Sequence, residues 1–162
     1  MIIDELLENK LRETFEACDI HLNRMIFANS KVSKLLPLTL DSYYSLAEDT
    51  ISYIDQFIYR FSKLQDTIGT RLFPFLLEAL AEPTENKAFI DLLNRLERLG
   101  VIDSAQSWVE LRKIGNDMAH EYPSSLSERL EGINFLFEEL KTFQGILENC
   151  RQILFDNVNL CF

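Results

Sequence analysis

Ser104–Pro123, SAQSWVELRKIGNDMAHEYP, is the stretch whose reading decides the fold. At about 100° per residue, Trp108, Leu111, Ile114, Met118 and Tyr122 fall on one helical arc, while Arg112, Asn116 and His120 recur four apart on a neighbouring arc. The first arc reads as core and the second as a polar stripe. Asp103 or Ser104 can cap the start of such a helix. Pro123 disfavours an α conformation at the residue before it, so the helix is predicted to end at Tyr122. Any site it carries lies in its last two turns.

The rest of the chain repeats this pattern. Of 162 residues, 47% are apolar, enough for one domain with a substantial core, and no stretch resembles a long linker. Five glycines and four prolines are too few for the many turns of a strand-rich protein, so an all-α fold is expected. From Ile3 to about Asn29, apolar residues recur every three or four positions through Leu7, Leu11, Phe15, Cys18, Leu22 and Met25. Ser30 to Leu40 reads as a connection. A second helix, beginning at Asp41 or Ser42, is predicted to run through Ile54, Phe57 and Phe61 to about Leu64. The pattern is interrupted near Gly69, and Arg71 to Ala81 is apolar almost all round.

Asn86 to Leu99 forms another amphipathic helix, stopped by Gly100. After the organising helix, Ser125 and Glu128 have capping-box spacing. Leu126, Leu130, Ile133, Phe137, Leu140, Phe143, Leu147, Cys150 and Leu154 then predict one long final helix. Five or six helices with short connections imply an antiparallel helical bundle formed by residues 1–162 as a single domain.

A formal net charge of −10 argues against broad adhesion to nucleic acid, so any RNA contact must be local. One local candidate is Arg24, Lys31 and Lys34, in a stretch from Ile20 to Leu40 without an acidic residue. Cys18, Cys150 and Cys161 are odd in number and lack metal-ligand spacing, and no cationic, apolar leader precedes them; a reducing cytoplasm is expected. No apolar run approaches the length of a bilayer span. Neither a metal nor another cofactor is expected.

His120 is one of only two histidines and is the candidate general acid or base. Asn116 can bond a phosphate or sugar oxygen, and Arg112 supplies a permanent cation. Eight residues separate Arg112 from His120, about 12 Å along a helix axis, so a single phosphate needs a long reach or a second chain. His21, between core positions Cys18 and Leu22, reads as structural. Glu48, Asp49, Asp55 and Asp66 show no pairing that demands carboxylate catalysis.

LRKIGNDMAHEYP resembles the signature helix of the HEPN superfamily, specifically the HepT-like toxins encoded beside a minimal nucleotidyltransferase antitoxin. That signature is an arginine, four residues, a histidine, any residue and a tyrosine, often with asparagine after the arginine. Asn116, His120 and Tyr122 match it, and Arg60–Phe73, RFSKLQDTIGTRLF, resembles a second block of the family. The likeness covers roughly residues 45 to 145. It implies a cytoplasmic, metal-independent endoribonuclease that works as a homodimer, with arginine holding the scissile phosphate and histidine assisting attack by the 2′-hydroxyl. It further implies neutralisation by a cognate nucleotidyltransferase that adds AMP to Tyr122.

The chain departs from the signature at Gly115, where the family has its arginine. Close helix packing, a naturally inactive member, or a substitution that silences a toxic protein would each explain a helical glycine, and the last is the expectation. Arg112, one turn earlier, is the candidate substitute cation. Two rivals remain: a non-catalytic helical module that binds a nucleotidyltransferase or a nucleotide, and a plain dimerisation bundle.

Overall fold

A computed structural model describes residues 3–120 and 125–162. Every regular element among them is helical: α1 (Glu5–Val32), α2 (Leu40–Tyr44), α3 (Glu48–Thr67), α4 (Phe73–Ala79), α5 (Phe89–Arg98), α6 (Ala105–Ala119), α7 (Leu126–Glu138) and α8 (Leu140–Val158). The expected all-α bundle is therefore observed. Six substantial helices result when α3 and α4 count as one rod and the five-residue α2 is set aside.

The 28 residues of α1 make a rod about 42 Å long. The Asp4 carboxylate accepts from the Leu7 amide at 2.7 Å and caps its first turn. Leu7, Leu11, Phe15, Cys18, Met25, Ala28 and Val32 bury one stripe, chiefly against α3. As α1 advances from His21 to Phe27, its contact on α3 retreats from Arg60 to Tyr53, so the two rods run antiparallel. The connection after α1 is pinned by Asn134 of α7. Its side chain accepts from the Leu38 amide at 2.7 Å and donates to the Leu38 carbonyl at 2.9 Å.

Three expected joints differ. The second helix, expected to run unbroken from Asp41 or Ser42 to about Leu64, is interrupted at residues 45–47 between α2 and α3, and α3 runs on to Thr67. The interruption near Gly69 is not a break: Ile68–Leu72 is a single π turn that joins α3 to α4. Across it the Phe73 amide bonds to the Ile68 carbonyl, five residues back. Pro74, which lacks an amide and whose ring would crowd a regular preceding turn, follows at once. Gly69 is buried in the wide turn beside the Trp108 ring, which a Cβ there would meet at 3.4 Å, an ordinary van der Waals distance. The final helix is not continuous either. It breaks at Glu139 (φ −82°, ψ 0°), whose carboxylate accepts from the Thr142 hydroxyl at 2.5 Å.

The buried side chains from Leu7 to Val158 form one contiguous core. Its centre is aromatic: Phe57 stacks on Phe137 at 3.8 Å, Phe61 meets Phe143 edge-on at 4.7 Å, and Trp108 packs between Phe73 and Phe143. Rings from α3, α4, α6, α7 and α8 thus lock the bundle around α6. No helix among the described residues is long and apolar enough to cross a membrane.

Candidate functional site

Helix α6 starts as its sequence dictates, with the Ser104 hydroxyl accepting from the Ser107 amide at 2.9 Å. It ends at Ala119, three residues earlier than expected, and His120 is its C-cap (φ −99°, ψ 10°), with its amide bonded to the Asn116 carbonyl at 3.0 Å. Tyr122 lies outside the described residues. Trp108, Leu111 and Met118 are buried as the apolar arc requires, and Arg112, Asn116 and His120 are exposed. The stripe is therefore real, and its members diverge.

Two contacts hold the end of α6 in place. Gly115 is buried against α3, where a Cβ would come within 2.6 Å of Gln65 Oε1 and 3.1 Å of the Phe61 ring. Gln65 is itself buried; its amide nitrogen donates to the Arg112 carbonyl at 3.3 Å, and its Oε1 has no hydrogen-bond partner. One turn on, the Met118 side chain fills the space a Cβ of Gly132 would take, with Sδ 2.5 Å from that point. Paired close approaches to α3 and α7 fix where His120 emerges. Of the three explanations for glycine at position 115, close packing is the one with a structural counterpart.

His120 opens onto a groove of about 350 Å³. Its other lining residues are Asp55, Ile58, Tyr59, Ser62 and Lys63 from α3, Met118 and Ala119 from α6, and Arg129 from α7. As α6 advances from Arg112 to Gly115, its contact on α3 retreats from Gln65 to Phe61, so these helices are antiparallel and His120 lies level with the Asp55–Ile58 turn. Arg129, in the first turn of α7, faces the last turn of α6 across the same groove. Lys63 lies about 10 Å farther along α3. Between them the half-exposed Tyr59 ring is flanked by the Arg60 guanidinium at 5.5 Å and Lys63 Nζ at 5.6 Å.

Arg112 does not line this groove. Its guanidinium lies 5.9 Å from the centre of the Phe89 ring, toward α5, so the structure does not bring it to His120. Asn116 is exposed on α6 but is absent from the groove wall. Lys63, Tyr59 and Arg129 escaped the sequence reading as site residues, and Asp55 was set aside there, because they come from two other helices. Only the registers of α3 and α7 against α6 assemble them.

His21 is held by Arg60, whose guanidinium lies 3.1 Å from Nδ1. A guanidinium only donates, so Nδ1 is the acceptor and the proton sits on Nε2. Burial, then the positive charges of Arg60 and Lys63, push the His21 pKa below its ordinary value of 6.5. Burial likewise pushes the Cys18 thiol up to about 12 and raises that of Cys150, leaving both protonated and unreactive.

A larger cavity of about 520 Å³ lies near the other end of α6, against the α7–α8 junction. It holds no histidine, and its charged rim is Asp103, Glu110, Glu139 and Lys141. No three His, Cys, Asp or Glu side chains among the described residues converge as a metal site would require. The His120 groove is therefore the better setting for acid–base chemistry on an anion. Comparison of the chain with family models, with curated proteins and with solved structures finds no match to any of the three.

Proposed function

We propose that this chain is a HepT-like HEPN toxin, a metal-independent endoribonuclease held in check by a cognate nucleotidyltransferase. The observation that carries the reading is an exposed imidazole, His120, capping a motif helix and opening onto a groove that also holds Lys63 and Arg129. An all-helical bundle with Asn116, His120 and Tyr122 at family spacing supports it.

In this reading the His120 imidazole takes the proton of an RNA 2′-hydroxyl. The 2′-oxygen attacks the adjacent phosphorus and the P–O5′ bond breaks; the 5′-oxygen takes a proton from water and His120 returns its own to solvent, giving a 2′,3′-cyclic phosphate and a 5′-hydroxyl. A second copy apposed at the motif helices completes the cleft. AMP on Tyr122 would add an anion beside the phosphate position and repel RNA.

Expression in a bacterial host tests this. With close packing rather than silencing as the reason for Gly115, this chain is expected to arrest growth, His120→Ala to be harmless, and co-expression with the nucleotidyltransferase to place AMP on a Tyr122 peptide, read by mass spectrometry. Arrest that persists in His120→Ala would contradict the nuclease assignment. Gly115 favours a second reading, a non-catalytic module that binds the nucleotidyltransferase, because the buried position has no room for the family's arginine. That reading expects partner binding unchanged by His120→Ala and RNA left whole by the wild type.

A further inference from the structure

The proposed reaction needs a cation on the phosphate, and neither position suggested by the motif helix supplies one. Gly115 has no charge and is buried, and Arg112 turns toward Phe89. We infer that the groove between α3 and α7 is a single-stranded RNA track in which Arg129 holds the scissile phosphate, Lys63 holds a neighbouring phosphate, and Tyr59 stacks the base between them. The inference rests on the endoribonuclease reading for the identity of the polymer, and on the groove for the roles.

The groove orders its groups along α3. Arg129 lines the groove together with His120, so its guanidinium is the cation of this wall assigned to the same link of a bound strand as the imidazole. The Lys63 backbone lies about 10 Å farther along α3 and its Nζ sits 5.6 Å from the Tyr59 ring centre, a position suited to the next phosphate along the strand. Tyr59 lies between, one turn from Lys63, and remains 55% exposed although its ring is large. An exposed aromatic between two cations is the arrangement by which proteins grip single strands, because every base has a face to stack and every nucleotide a charge to neutralise. Arg60, 5.5 Å from the Tyr59 ring, adds to the local positive field on a chain whose net charge is −10. Asp55 is the one carboxylate on the wall among the described residues. It sits one turn from Tyr59 on the His120 side, where it can accept from the amino group of a stacked base.

Binding and cleavage are measured separately. The probe for binding is a short single-stranded RNA made uncleavable by one 2′-deoxy position, read by fluorescence anisotropy at two salt concentrations. Lys63→Gln, Arg129→Gln and Tyr59→Ala are each expected to weaken binding about tenfold, with the two charge changes also flattening the salt dependence by about one counterion. In cleavage, Lys63→Gln is expected to act mainly on KM and Arg129→Gln mainly on kcat. Lys141→Gln, in the wall of the larger cavity near the other end of α6, is the control. Circular dichroism melting excludes misfolding as the cause.

If all three variants bind and cleave like the wild type while His120→Ala is inactive, the track is wrong and the nuclease reading survives. If the wild type cuts nothing but binds the probe, and the variants lose that binding, the track stands and the nuclease reading fails. If the wild type does not bind the probe at all, the inference is overturned.

Discussion

Gly115 shows how one residue can belong to two accounts. As a motif position it is a missing arginine, but as a packing position it is the point where α6 touches α3. An alanine there gains up to about 1 kcal/mol of helix propensity and drives a methyl into Gln65 and Phe61, a change that costs about 1–3 kcal/mol in a full core. Gly115→Ala is therefore expected to lower stability slightly. Gly115→Arg, which also buries a charge without a partner, is expected to lose about 3 kcal/mol or more. Urea denaturation of both variants checks this; an arginine variant as stable as the wild type would mean that α6 can swing away from α3 and expose the position.

The two histidines separate cleanly at this scale. His21 is neutral under Arg60, and its pKa is lower folded than unfolded, so the unfolded chain takes up its proton first as pH falls. Its contribution to stability is complete above about pH 6.5 and is lost as pH falls from there through the depressed folded pKa. His21→Gln is expected to flatten the stability profile between pH 7 and 5, read from denaturation midpoints. An unchanged slope would remove His21 as the cause.

Among the elements, periodicity made most of the bundle legible, because an amphipathic stripe needs only its own residues to be read. Ser104 and Ser125 cap α6 and α7 as their spacing foretold, and the apolar residues of α1 are buried where the three-four rhythm put them. The misread joints have local causes. Between α3 and α4 the helix widens at Gly69 and accommodates Pro74 without stopping, whereas the apparent final helix breaks at Glu139 with neither glycine nor proline to mark it. The groove was illegible for another reason: it depends on the register of α3 and α7 against α6, which close contacts at Gly115 and Gly132 set. Gly132→Ala tests that dependence. It is expected to displace Met118, cost about 1–3 kcal/mol and reduce His120-dependent activity, since the side chain that anchors the end of α6 loses its seat.

At the scale of the whole molecule, an acidic chain gathers Lys63, Arg60 and Arg129 at or beside one groove, while the cation of the motif helix, Arg112, faces another side. The proposal asks two such molecules to meet at their motif helices. Sedimentation equilibrium is expected to give twice the chain mass, and a monomer at micromolar concentration would leave the cleft without its second half. The most direct test of the central claim is the chemistry of the cut ends. Purified wild-type protein incubated with RNA in the presence of a chelator is expected to leave 2′,3′-cyclic phosphate and 5′-hydroxyl termini, and His120→Ala none. Intact RNA, cleavage that requires a divalent cation, or equal cleavage by His120→Ala would contradict the account.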